Sequence, residues 1–287
     1  MPQFTDVRGV PIVYDVYAAH GTPRAVVQLA HGYGEHAGRY ARLIDALTER
    51  GFTVYADDHR GHGRTGMLQH GEDSARLGTL GHGGISAAVA AMWGVTDVIR
   101  REHEDLPLIL LAHSWGSFMA QMLLNRHPEA YDLVILSGTV YRQLGSGNLG
   151  DLNKRWNAPG ATGMEWLASD EEVVRGFLSD PLCTTVPMGK NFGLYRQLQM
   201  LGRPRKNLRA IAGRDIPILL LVGRDDPVGG PRSVHRLADA YRRRSGFTDV
   251  TTLVYPGIRH EVFNDVGQEQ VRNDVLAWLD ARLSRRD

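Results

Sequence analysis

The chain has 287 residues, 43% hydrophobic and 23% charged, enough for one large α/β domain or two small ones around a sizeable core. Its 33 Lys and Arg nearly balance 32 Asp and Glu, and the net charge of +1 excludes the basic footprint of a nucleic-acid-binding domain. A single cysteine, Cys183, excludes an intrachain disulfide, no apolar run is long enough to span a bilayer, and no signal-peptide pattern opens the sequence, so the expected location is cytoplasmic.

In chain order, Val7 and Pro11 flank a turn between two short β-like runs, an antiparallel hairpin ending near Tyr17. Residues 25–30 are the first strongly apolar strand. They lead into a glycine-flanked loop, His31-Gly32-Tyr33-Gly34-Glu35-His36. Residues 40–50 read as a helix with Leu43, Ile44 and Leu47 on one face and Gly51 as its stop. A strand over 52–56 precedes the loop Asp58-His59-Arg60-Gly61-His62-Gly63-Arg64, and 85–101 is helical again.

Residues 108–111 form a further strand. Ala112-His113-Ser114-Trp115-Gly116 then turns from it into the helical stretch 118–124. Strand, sharp turn with a serine at its tip, and helix make the context of a nucleophile elbow. Small residues are needed two before and two after the serine, and Ala112 and Gly116 supply them. The plain alternative is an ordinary serine in a strand-to-helix loop.

Residues 133–136, 218–222 and 251–255 complete about eight strands that alternate with helices, the signature of a mostly parallel sheet covered on both faces. From 139 to 215 no strand is evident. There Ser169 reads as the N-cap and Glu172 as its capping-box partner, Val173, Val174, Phe177 and Leu178 as an apolar stripe, and Asp180-Pro181 as the stop. A later helix carries Phe192, Tyr195, Leu198 and Leu201. A structureless loop of this length is improbable, so 139–215 reads as a helical insertion into a core made of 1–138 and 216–287.

A serine nucleophile needs a base, an acid that orients the base, and oxyanion donors. His260, just after the last strand, suits the base, with a surface histidine as the alternative. The acid lies in Gly223-Arg224-Asp225-Asp226-Pro227. Neighbours in an extended loop point opposite ways, and Pro227 biases Asp226 to an extended backbone, so Asp226 is preferred to Asp225. The order Ser114, Asp226, His260 is the one found in α/β-hydrolases. The N–H groups of Tyr33 and Trp115 are the expected oxyanion donors. No metal site is expected, because His59 and His62 lack further ligands at metal spacing. Cys183 reads as an inert thiol.

With these residues in place, the chain resembles the α/β-hydrolase superfamily, and within it the monoacylglycerol lipase and lysophospholipase-like hydrolases grouped with serine aminopeptidases. The stretches 31–40 and 58–64, Asp180-Pro181-Leu182 and 257–261 carry the likeness, while Ala112 and Ser117 stand where that group has glycine. The resemblance implies an eight-stranded sheet, a helical cap between strands six and seven, and carboxylic-ester hydrolysis without a cofactor. Met164, Trp166, Phe177, Leu178, Phe192 and Tyr195 are candidates to line an acyl tunnel, or only to pack the cap itself.

The expected substrate is therefore a hydrophobic ester such as a monoacylglycerol or lysophospholipid, with activity rising through about pH 6 to 7 as His260 loses its proton. An aminopeptidase-like amidase, a small-ester esterase and a non-catalytic binding module are the alternatives. An exposed apolar cap has two candidate partners, a membrane surface and a second subunit.

Overall fold

In the computed structural model, which describes residues 1–148 and 150–284, the opening hairpin is β1 (Gln3–Thr5) and β2 (Pro11–Tyr17), with Gln3 opposite Val13. The apolar runs become β3 (Ala25–Ala30), β4 (Phe52–Asp57), β5 (Leu108–His113), β6 (Leu133–Ser137), β7 (Ile218–Gly223) and β8 (Val250–Tyr255). The strand order is β1-β2-β4-β3-β5-β6-β7-β8. Strand β2 runs antiparallel to both neighbours, and every pair from β4 to β8 is parallel. Strands β3 to β7 are buried from end to end, which is why they read as near-continuous apolar runs.

The helices are α1 (Ala41–Glu49), α2 (Gly63–His70), α3 (Gly84–Glu102), α4 (Ser114–Arg126), α5 (Glu171–Ser179), α6 (Met188–Gln199), α7 (Leu208–Ala212), α8 (Gly230–Ala240) and α9 (Gln268–Leu283). Alternate strand residues point to opposite faces of the sheet. Leu108, Leu110, Val134 and Leu220 pack with Val89 and Met92 of α3, Met119 and Leu123 of α4, and Val234 and Leu237 of α8. Ile109, Leu111, Ile135 and Leu219 pack on the other face with Leu43 and Leu47 of α1 and Val271 and Val275 of α9. Each such aliphatic side chain contributes about 1.5–3 kcal/mol of burial free energy, so the two layers fix the sheet before any loop is considered. Because β5, β7 and β8 are parallel, the loops that follow them emerge at one rim.

The stretch between β6 and β7 holds α5, α6 and α7. Helix α5 departs from the expected start: Asp170, not Ser169, is the N-cap, and its carboxylate accepts the Glu172 N–H at 2.9 Å. Ser169 is drawn away because its hydroxyl donates to Asp265 at 2.6 Å, a partner 96 residues distant. Helix α6 is broken at Gly193, whose φ of 65° and ψ of 171° are not helical. Helix α7 lies against the sheet core, with Leu208 fully buried.

Candidate active site

Ser114 joins β5 to α4 with φ at 49°, a left-handed backbone that costs a non-glycine residue about 1–3 kcal/mol. The first turn of α4 is pressed against the loop after β3. A Cβ on Gly116 would lie 2.3 Å from the His31 carbonyl oxygen, and one on Gly32 would lie 3.2 Å from Ser114 Cβ. Ala112 keeps ordinary strand geometry, opposite Ala30 and Leu136, so its methyl is tolerated.

Ser114 Oγ lies 2.8 Å from His260 Nε2, and His260 Nδ1 lies 3.0 Å from Asp226 Oδ1. With Nδ1–H donating to the carboxylate, Nε2 presents its lone pair to the serine hydroxyl. Asp226 Oδ1 also accepts the Val228 N–H at 2.8 Å. Asp225 turns away and pairs with Arg155 at 3.0 Å. Burial alone would lower the His260 pKa, but the charge and hydrogen bond of Asp226 outweigh it, and the value stands above the ordinary 6.5. His113, its ring 4.9 Å from that of His260, is pushed down to about 3 by burial and then by the His260 charge, and so stays neutral.

Arg39 forms a bracket that local sequence patterns do not reveal. Its guanidinium donates to both carboxylate oxygens of Glu261, at 2.7 and 2.8 Å, and to Glu35 at 2.8 Å. Glu35 in turn accepts the Gly32 N–H at 2.6 Å and the Tyr40 hydroxyl at 2.7 Å. The Arg39 guanidinium also lies 4.9 Å from the Phe177 ring centroid. One cation thus ties together the loop after β3, the residue after His260, and α5.

The loop that carries His260 is also joined to the stretch between β6 and β7. Glu261 N–H donates to the Leu167 carbonyl at 2.8 Å, and Arg259 donates to the carbonyls of Glu165 and Ala168 at 2.6 and 2.9 Å. Asp265 accepts the N–H groups of Ser169, Asp170 and Arg259.

A cavity of about 420 Å³ opens over Ser114 and His260. Of the expected lining residues, Met164, Trp166 and Phe177 border it, together with Leu167 and Met188, and the Trp166 ring lies 5.1 Å from that of His260. Leu178, Phe192 and Tyr195 do not. Leu178 follows Phe177 on α5, so it faces about 100° away and is 40% exposed. Phe192 packs into the core against Tyr33 and Trp115. The break at Gly193 carries Tyr195 outward to 75% exposure.

The side chain of Tyr33 is fixed by donation to the Val186 carbonyl at 3.0 Å and by a bond from Asn191 at 2.8 Å, and burial pushes its phenol up to about 12. The residue before it, Gly32, packs against Ser114. Trp115 lies in the first turn of α4, where N–H groups lack a partner within the helix.

His36, Asp180 and Cys183 come within metal-like reach of one another. The chemistry is that of a structural tie. His36 Nδ1 accepts the Gly38 N–H, so Nε2 carries the proton that it donates to Asp180 at 2.8 Å, and burial pushes the Cys183 thiol up, away from thiolate. His59 is bonded to Asp57 and His62 to the Arg60 carbonyl, and the Arg60 side chain pairs with Asp6 and reaches the carbonyls of Leu80 and His82. Among the described residues no helix is long and apolar enough to cross a membrane.

Comparison with known proteins agrees with this architecture. The family model described as serine aminopeptidase, S33, matches residues 21–267. A monoacylglycerol lipase of Mycolicibacterium smegmatis is 34% identical, over 98% of this chain and 96% of its own length. The crystal structure of a thermostable carboxyl esterase from Bacillus coagulans, in complex with glycerol, superposes with a TM-score of 0.83 at 28% identity over 98% of both chains. A Paleococcus ferrophilus monoacylglycerol lipase superposes at 0.67 with 25% identity, over 94% of this chain and 99% of that one.

Proposed function

The chain belongs to the serine aminopeptidase S33 family of α/β-hydrolases and is a monoacylglycerol-lipase-like hydrolase, and from that premise we propose that it cleaves the carboxylic ester of a mono-acyl lipid through Ser114, His260 and Asp226. The observation that carries the reading is the unbroken relay from Ser114 Oγ through His260 to Asp226 beneath a largely apolar cavity.

In this mechanism His260 takes the Ser114 proton as Oγ attacks the ester carbonyl. Asp226 fixes the tautomer and stabilises the imidazolium. The N–H groups of Trp115 and Tyr33 hold the tetrahedral oxyanion. His260 then gives its proton to the departing alcohol, leaving an acyl-serine. Water enters and adds to the acyl carbonyl as His260 removes its proton; the acyl–Oγ bond then breaks, His260 returns that proton to Ser114 Oγ, and the acid is released. No cofactor enters these steps.

The ester reading is preferred to an amide because an incoming amine would find no free carboxylate among those lining the cavity. Glu35 and Glu261 are both held by Arg39, and Asp151 is bonded to Asn153 N–H and Asn157, so each is already engaged. The Glu165 carboxyl is held down near 2 by hydrogen bonds from Thr162 and Asn153 despite burial, and Glu171 and Glu172 lie in the first turn of α5. The insertion over 139–215 acts as the cap, and Leu194, Tyr195 and Leu198, exposed after the Gly193 break, rest on the lipid surface that supplies the substrate.

The test is the wild-type protein against Ser114→Ala, assayed on 1-acylglycerols and on p-nitrophenyl esters of rising chain length. The variant loses a factor on the order of 10⁶ in kcat and no longer reacts with a fluorophosphonate probe. Undiminished activity in the variant, or activity confined to acetate esters in the wild type, rules the reading out.

A further inference from the structure

A second cavity, of about 280 Å³, lies behind the Asp226 side of the site. Its walls are the Gly145-Ser146-Gly147 turn, the start of α8, and the side chains of Arg232 and Arg236. It shares Asn148 and Val228 with the cavity over Ser114, and the Asn148 N–H donates to the Val228 carbonyl at 2.8 Å, so the wall between them is a docked pair of loops.

Three features of this cavity point to an oxyanion. Arg232 and Arg236 stand one turn apart on α8, both exposed, and the ion pairs of the flanking segments, Arg155–Asp225 and Arg242–Asp239, involve neither. Gly229, Arg232 and Ser233 at the start of α8 line the same space, no side chain caps this end, and Pro231 fills a position that needs no donor, so the positive end of the helix dipole borders the cavity. Ser146 is only 7% exposed, lines the cavity, and its hydroxyl has no hydrogen-bond partner among the described residues. A buried hydroxyl without a partner costs about 1–3 kcal/mol unless something in the cavity accepts from it.

One group works against an anion. Asp226 lines the same space, and its Oδ2 is buried and lacks a partner among the described residues. It requires a donor, which a protonated phosphate oxygen or an intervening water provides. Two guanidiniums and a helix start outweigh the single carboxylate, whose charge is already shared with His260.

We propose that this cavity is a phosphate-binding site, in which Arg232, Arg236, Ser146 and the N-terminus of α8 hold a phosphate group next to the active site. The phosphate is either free in solution or the head group of an acylated glycerol phosphate whose ester lies over Ser114. The binding claim is independent of the esterase reading; only the second source rests on it.

The experiment has two arms. In the first, inorganic phosphate is titrated into the wild-type protein at constant ionic strength, with chloride as the control, and binding is followed by calorimetry and thermal shift. Saturable binding is expected, weakened roughly tenfold in the Arg232→Gln/Arg236→Gln double variant, as loss of two solvent-screened charge contacts implies. A smaller loss is expected in Ser146→Ala, which keeps both charges. No saturable binding by the wild-type protein, or equal binding by the double variant, overturns the site.

In the second arm, 1-acylglycerol and 1-acylglycerol 3-phosphate of one chain length are compared as substrates. A kcat/KM preference for the phosphorylated lipid that disappears in the double variant, with the neutral lipid still cleaved, supports the site and assigns it to the substrate head group. Equal rates on both lipids together with phosphate binding support the site and assign it to the free anion. Failure of both lipids to react counts against the esterase reading and leaves the first arm to decide the site.

Discussion

Arg39 holds Glu261 through both of its terminal nitrogens, at 2.7 and 2.8 Å, and Glu261 is the residue after His260. The pair is buried, and Glu35 shares the same cation. Arg39→Met therefore leaves two buried carboxylates without a counter-charge, a change that destabilises by about 3–5 kcal/mol. Both carboxylates favour the protonated form of His260, so the acid limb of the rate profile moves to higher pH in this variant. Arg39→Lys keeps the charge but loses the two-pronged grip. It lowers kcat without moving the limb. An unmoved limb in Arg39→Met contradicts this account.

The pH dependence of the wild-type protein follows from His260. The proposed mechanism needs its neutral form, and Asp226 holds its pKa above 6.5 despite burial. The rate climbs as pH rises through that raised value, so the midpoint of the acid limb lies above 6.5, higher than composition alone leads one to expect. A kcat/KM profile with its midpoint below 6.5 would show that Asp226 does not dominate.

Stability has the opposite driver. Burial depresses the pKa values of His31, His62 and His113, the last two to about 3. The unfolded chain takes up these protons near 6.5 and the folded chain does not, so the stability they contribute is complete above 6.5 and is lost as pH falls from there toward about 3. The slope is roughly 1.4 kcal/mol per pH unit for each histidine. His260, with its raised value, works the other way: its contribution is complete below 6.5 and is lost as pH rises through the folded value. Three groups outweigh one, so the Tm falls on acidification below 6.5 in thermal melts. A Tm that holds or rises there is incompatible with three neutral buried imidazoles.

The two positions flanking the elbow respond differently. Gly116→Ala drives a Cβ to 2.3 Å from the His31 carbonyl oxygen and 2.7 Å from that of Ala30, both backbone atoms. The variant loses about 1–3 kcal/mol of stability and, with the elbow displaced, on the order of 100-fold in rate. Ala112→Gly costs roughly 0.5–1 kcal/mol as an ordinary strand glycine and leaves the rate nearly unchanged. Melts and kinetics on the two variants separate these outcomes.

Leu194 and Tyr195, 73% and 75% exposed, give the membrane reading its test. Leu194→Glu/Tyr195→Glu abolishes co-sedimentation with lipid vesicles while soluble esters are still cleaved. If the wild-type protein ignores vesicles and elutes as a dimer that these changes dissociate, the covering partner is a second copy.

The sheet and the Ser114–Asp226–His260 set were legible because each leaves a local mark: an apolar run, a turn with small residues, an Asp beside a proline. What the sequence hid was long-range. Ser169 has the right residue type for a cap, yet a carboxylate 96 positions away claims its hydroxyl and Asp170 caps instead. Phe192, Leu178 and Tyr195 are as apolar as Phe177, but only Phe177 meets the cavity, because helix rotation and a single glycine decide direction. The Arg39 bracket draws on residues 35, 39 and 261 and declares itself only once the chain has closed.

Asp265 accepts from Ser169, Asp170 and Arg259, and Leu167 accepts from Glu261. The stretch over 167–170 and the loop that carries His260 are therefore one mechanical unit, and a force that lifts the first also strains the imidazole beside it. A fluorophore placed on residues 167–170 would therefore sense strain at His260 as well as movement of the stretch between β6 and β7.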